Sequence, residues 1–359
     1  MSSFAVTAER LIIHKHPDPA VERIELAKVG EYRAVIPKGP YKTGDWAIYI
    51  PEQAIVPDDL LAELGLTGKL AGQKKNRVKT TRFRGELSQG LVCSPRVSVG
   101  VDLPAANESN VDFSQRLGIV KWVPEAPTGL SGEIIPAPQM MSWIEIENIK
   151  RYPNIFAAGE PVIASEKIHG SATCVTWVNA STELFVSSKG FAARKLALVE
   201  SEANLYWRAV RSFGIDDVLR AIGSANGIAR VALYGEVYGA GVQDLHYGET
   251  RKDTPGFAVF DIAIDEGNGH SWLSQGQLRE VCVDFNLTLA PVLYEGEYDY
   301  NALAALAEGN SSLGGGANLR EGLVVRAVPE RVSDAVHGRA IAKFVGDGYL
   351  TRAGGSEFE

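Results

Sequence analysis

The sequence is poor in cysteine and has no long uncharged apolar run. Its three cysteines, Cys93, Cys174 and Cys282, are too few and too scattered for a disulfide framework or a Cys-x-x-Cys metal site. No window approaches the roughly 18 consecutive apolar residues that a membrane-spanning helix needs. The N-terminus also lacks a basic segment followed by an apolar core, so no signal peptide is expected. These absences favour a cytoplasmic protein without membrane partners.

Two further absences narrow the function. There is no internal repeat, and the glycine-rich "LGGGANLREG" is not a P-loop because no Gly-Lys-Ser/Thr follows it. The composition is nevertheless that of a globular protein, with 359 residues, 45% hydrophobic and 22% charged. Such a chain is long enough for two packed domains.

Acidic residues outnumber basic ones, but the basic residues are concentrated in one place. The net charge is −8, yet residues 69–84, "KLAGQKKNRVKTTRFR", hold seven basic residues and no acidic one. A local basic patch on an acidic protein predicts one polyanion-binding face. Its candidate nucleic-acid-binding residues are Lys74, Lys75, Arg77, Lys79, Arg82 and Arg84. A solvated loop without a ligand stays open as the alternative.

The chain divides into two predicted domains. Residues 1–123 contain short β-rich runs such as "RIELAKVG" and "GDWAIYIPE", bounded by Gly, Pro and Asp, and one short helical segment, "DDLLAELGL". This pattern predicts a small β-barrel of OB type, although periodicity alone does not separate it from an SH3-like barrel. Residues 124–138, with four prolines, are the predicted linker. Residues 354–359 are interpreted as vector-derived sequence and are left out of the functional argument.

Residues 139–353 are predicted to form an α+β domain. The runs "PVIASEKIHGSATCVTWV" and "ELFVSSKG" are interpreted as adjacent strands, and residues 196–222 as one or two helices. "RVALYGEVYG" and "GFAVFDIAI" are predicted buried strands, and "EGLVVRAV" and "RAIAKFVG" two further strands. Ser274 is predicted to cap a helix.

Short motifs recur near the ends of these predicted strands, so their side chains are expected to converge on one cleft. Each motif is weak alone, and their order carries the argument. In chain order they are Lys167-Ile168-His169-Gly170, Ser188-Lys189-Gly190, Gly235-Glu236, Phe260-Asp261-Ile262, Glu321-Gly322-Leu323-Val324 and Lys343.

This order resembles the collinear motifs of the covalent nucleotidyltransferase superfamily, which comprises polynucleotide ligases and capping enzymes. "EKIHG" is similar to the RNA-ligase version of the first motif, in which histidine replaces the aspartate of DNA ligases. "IEIENIKRYPNIF", "LYGEVYGAGVQDLHYG" and "KFVGDGYLTR" also resemble RNA ligases. The leading "IPKGPYKTGDWAIYIPE" is similar to the N-terminal OB domain of the Deinococcus-type branch.

The resemblance implies a role for each motif residue. Lys167 is the expected nucleophile toward ATP, and its pKa would have to fall for that task. Glu236 would accept hydrogen bonds from the ribose hydroxyls. Lys343 would contact the α-phosphate, and Lys189 would hold a phosphate as a point charge. Glu321 would position Mg²⁺ or Mn²⁺.

The resemblance also implies how the adenosine is held. Phe260 would stack on the adenine, with Phe257 as the alternative. Glu166 would read the adenine edge, and Ile168 and His169 would lie beside the nucleotide. His169 is expected to point the same way as Lys167, two strand positions earlier.

The sequence departs from the family pattern in two places. Ile341 stands where many relatives have the first lysine of a Lys-x-Lys pair, and Arg339 is a candidate for the missing charge because it shares that strand face. Ala172 replaces an asparagine that is common in the phage double-strand RNA ligases.

The overall expectation is an ATP-dependent RNA ligase that adenylates Lys167, passes AMP to a 5′-phosphate and seals it to a 3′-hydroxyl. Its expected partner is RNA or an RNA-containing nicked duplex, and a monomer is expected. The alternatives are a DNA ligase, a capping guanylyltransferase, and a catalytically silent nucleic-acid-binding protein on the same scaffold.

Overall fold

A computed structural model describes residues 3–123, 132–251 and 254–353. Most of the predicted linker and the C-terminal hexapeptide lie outside these ranges. No helix within them is both long and apolar enough to cross a membrane. Cytoplasmic location and a monomeric state stay predictions.

The N-terminal part is built from short antiparallel strands. They are β1 (Thr7–Arg10), β2 (Ile12–Lys15), β3 (Ile24–Val29), β4 (Tyr32–Pro37), β5 (Trp46–Ile50), β6 (Ala54–Ile55), β7 (Thr81–Phe83), β8 (Glu86–Ser88), β9 (Leu91–Cys93) and β10 (Val120–Lys121). They pair as β1-β5-β9, β2-β3-β4, β6-β10 and the hairpin β7-β8. Helices α1 (Asp58–Glu63) and α2 (Leu103–Glu108) complete this part.

The apolar residues of these short strands fill two adjoining clusters. One contains Ile48, Ile50 and Phe113, and the other contains Leu11 and Ile36, all at most 2% exposed. In β4, Ala34 and Ile36 are buried while the residues beside them are more exposed, and one-sided burial of this kind sets the register of a short strand. This is the predicted N-terminal OB fold.

The larger part contains two sheets. Its strands are β11 (Ile134–Pro136), β12 (Glu147–Asn148), β13 (Pro161–Lys167), β14 (Ser171–Val178), β15 (Glu183–Ser188), β16 (Leu196–Leu198), β17 (Arg230–Tyr238), β18 (Gly256–Asp265), β19 (His270–Trp272), β20 (Val292–Glu297), β21 (Gly322–Ala327), β22 (Val332–Ser333), β23 (Gly338–Arg339) and β24 (Ile341–Val345). One sheet has the order β11-β16-β15-β14-β17-β18-β19, and the other has the order β12-β24-β21-β13-β20.

Helices cover these sheets. They are α3 (Lys189–Ala192), α4 (Leu205–Ser212), α5 (Ile215–Gly223), α6 (Gln275–Asp284), α7 (Tyr300–Leu306) and α8 (Asp347–Leu350). Helices α4 and α5 bury their apolar faces on the seven-stranded sheet with Val231 and Leu233. Ser274 caps α6 in a capping box with Gln277, which confirms the predicted cap. The α+β class is confirmed.

Three expectations need correction. The run "PVIASEKIHGSATCVTWV" is expected to form one strand next to "ELFVSSKG". It forms two strands instead, because β13 lies in the five-stranded sheet while β14 pairs with β15 in the seven-stranded sheet. The predicted helical region 196–222 begins with strand β16. Within the predicted linker, Ile134–Pro136 pairs with β16 as an edge strand, so the second half of that segment belongs to the larger domain.

The N-terminal domain contacts the larger domain in two places. The backbone N–H of Ser3 donates to Glu147 Oε1 of β12 at 2.7 Å, and Arg151 donates to Ser3. Arg82 Nε, in the β7-β8 hairpin, donates to Thr351 Oγ1 at 3.2 Å. The N-terminal domain is therefore fixed close to the edge of the larger domain where the motifs lie.

Candidate active site

The first motif lies where the chain passes from one sheet to the other. Strand β13 ends at Lys167, and the chain turns through His169 and Gly170 into β14. A Cβ at Gly170 would come within 2.2 Å of the Val237 carbonyl oxygen, so only glycine allows this close approach. The Lys-x-His-Gly pattern is thus partly a steric requirement of the corner between the sheets.

Lys167 is paired with Glu321 across the five-stranded sheet. The register of β13 and β21 places Lys167 opposite Gly322, directly after Glu321. Lys167 Nζ lies 2.6 Å from Glu321 Oε1, and their side chains are 26% and 11% exposed. Two motifs separated by more than 150 residues therefore meet in one charge-assisted hydrogen bond.

The electrostatics of Lys167 correct one expectation. Burial would lower its pKa, but the carboxylates of Glu321 and Glu236 outweigh burial and hold the pKa above its ordinary value. The expected fall of the pKa is therefore wrong for the protein without a nucleotide. Without a nucleotide, the pairing with Glu321 favours the charged form of Lys167.

Glu236 faces the same point from the other sheet. It lies on β17 opposite Ala172 of β14. Burial, with a contribution from Glu321, raises its pKa to about 8, although Lys167 and Lys189 oppose the shift. Gly235, directly before it, is required because a Cβ there would lie 2.3 Å from the Phe257 ring.

Lys343 and Lys189 form a cationic side of the cleft. Burial and the nearby charges of Lys189 and Lys167 lower the pKa of Lys343 to about 8. Lys189 Nζ lies 2.9 Å from Glu145 Oε2 and 5.9 Å from the Trp143 ring centroid. A concentration of like charges of this kind attracts an anionic ligand.

The candidate replacement for the missing lysine points elsewhere. Arg339 is buried, hydrogen-bonds to Asp261 and Glu330, and lies over the Trp272 ring at 4.2 Å. The Ile341 side chain is 7% exposed. Lys189 is therefore better placed than Arg339 to act with Lys343.

His169 is held by a network that the motif did not predict. Its Nε2 lies 2.7 Å from Asp244 Oδ1 and its Nδ1 lies 2.7 Å from the Tyr349 hydroxyl. Arg352 donates to both carboxylate oxygens of Asp244 at 3.0 Å. Burial lowers the pKa of His169. Although burial opposes it, the hydrogen bonds from Arg352 and His169 keep the pKa of Asp244 well below its usual range.

Phe260 and Phe257 lie on different faces of β18. The register of β17 and β18 shifts between Tyr234 and Gly235, which leaves Phe260 as the extra residue of a bulge. Phe257 is 1% exposed and packs in the core beneath the sheet. Phe260 is only partly buried and lies 6.1 Å from Trp143 between ring centroids. The geometry therefore favours Phe260 over Phe257 for stacking on a base.

The other two predicted nucleotide contacts are buried. Glu166 accepts hydrogen bonds from Ser311 and from the Ser312 backbone, and its side chain has no exposed surface. This arrangement favours support of the 311–312 loop over contact with an adenine edge. Ile168 packs with Tyr238 in an apolar cluster that Phe260 also touches.

The basic run divides into exposed and buried residues. Lys74, Lys75, Arg82 and Arg84 are exposed and Lys79 is half-buried. Arg77 is 4% exposed, with its guanidinium 4.1 Å from the Trp122 ring centroid. The prediction that Arg77 contacts nucleic acid is wrong, since packing removes it from the surface.

Glu321 is suited to help hold a divalent cation. Its Oε2 is buried and has no hydrogen-bond partner among the described residues. No group of three or more His, Cys, Asp or Glu side chains in residues 3–123, 132–251 and 254–353 is arranged to hold a metal ion. Mg²⁺ fits this setting because it keeps several waters and uses few carboxylates.

Some polar residues of the site escaped sequence reasoning. Asp244 and Tyr247 come from the loop after β17, Tyr349 and Arg352 follow the last strand, and Glu145 precedes β12. The Tyr247 hydroxyl accepts the His169 backbone N–H at 2.8 Å. Only the quoted similarity of "VYGAGVQDLHYG" and "KFVGDGYLTR" to RNA ligases marked those segments.

Family models match both parts of the chain. A model described as RNA ligase matches residues 160–345, more than half of the chain, and a model described as an OB-fold domain matches residues 6–95. No curated protein matches the chain.

Solved structures of one RNA ligase are similar over nearly the whole chain. The Naegleria gruberi RNA ligase with PPi has a TM-score of 0.77 and 24% identity, covering 97% of this chain and 98% of that one. A variant of it with AMP and Mn has a TM-score of 0.75 and 25% identity, covering 96% and 98%. A second variant with AMP and Mn has a TM-score of 0.76 and 25% identity, covering 97% and 98%.

Proposed function

The chain belongs to the RNA ligase family, and from this premise we propose that it is an ATP-dependent RNA ligase acting through a lysyl-AMP at Lys167. One observation carries the proposal. Lys167 is paired with Glu321, and Glu236 and Lys343, on strands of different sheets, lie near enough to interact electrostatically with both. The solved RNA ligase structures with AMP and Mn agree with this use of a nucleotide and a divalent cation.

In the first step, Lys167 Nζ attacks the α-phosphorus of ATP. The ammonium form first loses a proton to water, because only the neutral amine has a lone pair. The N–P bond then forms, the bond to the pyrophosphate oxygen breaks, pyrophosphate leaves, and the nitrogen gives a second proton to water as the phosphoramidate forms. Lys343 and Lys189 lie close together, and their positive charges stabilise the negative charge of the phosphates. A divalent ion at Glu321 would add charge neutralisation at the α-phosphate.

The adenosine is oriented by groups from the seven-stranded sheet. The Glu236 carboxylate accepts hydrogen bonds from the ribose hydroxyls, and Phe260 stacks on the base at the β18 bulge. His169, fixed by Asp244 and Tyr349, borders the same space. Holding the α-phosphate in line with the attacking amine lowers the activation free energy of the displacement.

Two further displacements complete the reaction. A 5′-phosphate oxygen attacks the AMP phosphorus, the N–P bond breaks, and Lys167 takes up a proton. A 3′-hydroxyl then attacks the 5′-phosphorus, a phosphodiester bond forms, and AMP leaves. The exposed Lys74, Lys75, Arg82 and Arg84, together with the half-buried Lys79, are proposed to hold the nucleic acid, a nicked duplex with an RNA 3′-hydroxyl strand.

The test is covalent labelling followed by transfer. The protein is incubated with α-labelled ATP or GTP and Mg²⁺ or Mn²⁺, denatured, and examined for bound label. We expect label from ATP that moves to a 5′-phosphorylated strand when a nicked duplex is added. No label with either nucleotide would leave the silent nucleic-acid-binding alternative, and label from GTP alone would indicate capping.

The strand requirement is tested on matched duplexes. Nicks that differ only in an RNA or a DNA 3′-hydroxyl strand are offered to the pre-adenylated protein in a single turnover. Faster sealing of the RNA nick is expected, and equal or faster sealing of the DNA nick would contradict the proposed substrate.

A further inference from the structure

The hairpin formed by β7 and β8 carries an exposed aromatic ring between two arginines. Phe83 pairs with Glu86, and the two-residue turn is Arg84-Gly85, with φ of 51° and 91°. Phe83 is 49% exposed, and Arg82 and Arg84 are exposed on either side of it. A single exposed apolar residue needs no explanation, but this one lies in an acid-free run with seven positive charges on an acidic protein.

The hairpin reaches the ligase domain beside the active site. Arg82 Nε donates to Thr351 Oγ1 at 3.2 Å, and its Nη1 donates to the Gly85 carbonyl at 3.1 Å. Thr351 directly precedes Arg352, which holds Asp244 and, through it, the ring of His169. The Phe83 ring is therefore carried on an OB-domain element that contacts the segment bordering the nucleotide site.

We propose that this hairpin grips the substrate strand, with Phe83 stacked on a base near the sealing junction and Arg84 on an adjacent phosphate. Unstacked bases are bound by aromatic faces and by arginine in single-strand recognition, and the phosphates account for the positive charge. The inference rests on the proposed function and adds a base contact to it. The partner is a nucleic-acid strand, not a protein, because the charge is of one sign and flanks a planar ring.

Binding of a fluorescent nicked duplex by anisotropy, without divalent cations, tests the proposal. Phe83→Ala is expected to raise Kd by about tenfold or more, Phe83→Trp to restore it, and Phe83→Leu not to. Arg84→Ala is expected to reduce the magnitude of the negative slope of log K against log salt by about one. The matched controls Ile12→Ala, 47% exposed in the same domain, and Arg23→Ala are expected to change Kd by less than about twofold.

A double-mutant cycle locates the base. Abasic sites are placed one at a time on each side of the nick, and one of them is expected to weaken binding to the wild type but not to Phe83→Ala. Lysyl-AMP formation without nucleic acid is expected to be the same in all variants. Three results would overturn the inference. They are a Kd for Phe83→Ala equal to that for Ile12→Ala, a Kd for Phe83→Leu equal to that of the wild type, and additive effects of Phe83→Ala and the abasic site at every position. Absence of lysyl-AMP in the wild type would instead overturn the proposed function.

Discussion

At the scale of single residues, the surroundings of Lys167, the proposed nucleophile, favour its charged and unreactive form. The ion pair with Glu321 holds the pKa of Lys167 above its ordinary value, and the same Glu321 presents a second oxygen without a hydrogen-bond partner in the described part of the chain. A cation drawn to Glu321 would compete with Lys167 for that carboxylate. Release of Lys167 from Glu321, and with it deprotonation of the lysine, would therefore depend on the binding of that cation.

Lys189 is predicted to supply the charge that relatives place at position 341. Lys189→Ala should slow lysyl-AMP formation by about tenfold or more, because the cationic side of the cleft loses one of its charges. Lys189→Arg should retain most of the rate, since arginine keeps the charge. The rate is measured by quenched single-turnover labelling with ATP.

The matched control for Lys189 is Arg194→Ala. Arg194 is an exposed cation just after α3 whose guanidinium lies over the Phe191 ring. It should leave the labelling rate unchanged. A labelling rate for Lys189→Ala equal to that of the wild type would contradict the prediction, because Lys343 would then suffice without Lys189.

At the scale of elements, the strands that carry the motifs were predictable and their sheet membership was not. Runs such as "RVALYGEVYG" and "GFAVFDIAI" are apolar enough to mark β17 and β18. The break at Gly170, which moves the chain to another sheet, depends on the close approach of Val237, a contact 67 residues away in sequence. The bulge that exposes Phe260 likewise arises from pairing, which sequence periodicity does not report.

The polar network around His169 was hidden for a similar reason. Asp244 and Arg352 lie in loops and Tyr349 in the short helix α8, and their side chains meet only through the tertiary fold. The basic run shows the opposite error. Its charge was evident, but burial of Arg77 against Trp122 could not be inferred from charge alone.

The turn into β21 is predicted to require glycine. A Cβ at Gly322 would lie 2.0 Å from the Phe344 carbonyl oxygen, so Gly322→Ala must push β21 and β24 apart. We expect a loss of at least about 2 kcal/mol in the free energy of unfolding, measured by urea denaturation. Displacement of Glu321 should also slow lysyl-AMP formation.

Gly276→Ala is the control for Gly322→Ala. Gly276 lies in α6, where a Cβ would approach the Ser274 hydroxyl no closer than 4.0 Å. Its stability should be unchanged or raised, because alanine is the better helix former. Equal stability of the two variants would contradict the steric reading of Gly322.

At the scale of the whole molecule, positive charge is concentrated in the OB domain of an otherwise acidic protein. The protein carries a net −8, while the OB domain holds the acid-free run from residue 69 to residue 84. The OB domain is joined to the ligase domain by contacts such as Ser3 with Glu147 and Arg82 with Thr351. A polyanion would therefore be directed to the OB face and held beside the cleft.

Three lysines of the run, the exposed Lys74 and Lys75 and the half-buried Lys79, are predicted to act on nucleic-acid binding and not on nucleotide transfer. Replacing Lys74, Lys75 and Lys79 together by glutamine should reduce the magnitude of the negative slope of log K against log salt by about two to three, because each lost phosphate contact removes about 0.9. Lysyl-AMP formation from ATP should be unchanged. Binding is measured over a series of salt concentrations.

The control keeps the net charge of that triple variant. It replaces three exposed lysines of the same domain that lie outside the run, Lys15, Lys38 and Lys42, by glutamine. Its salt slope should stay near that of the wild type. Equal slopes for both triple variants would show that general charge, and not this face, governs binding.

The most direct test of the account is mass spectrometry of the protein after incubation with ATP and a divalent cation. We predict one AMP per chain, attached to the peptide that contains Lys167, and none on Lys167→Ala. An adduct on another residue, or sealing of RNA by Lys167→Ala, would contradict the assignment of Lys167 as the nucleophile.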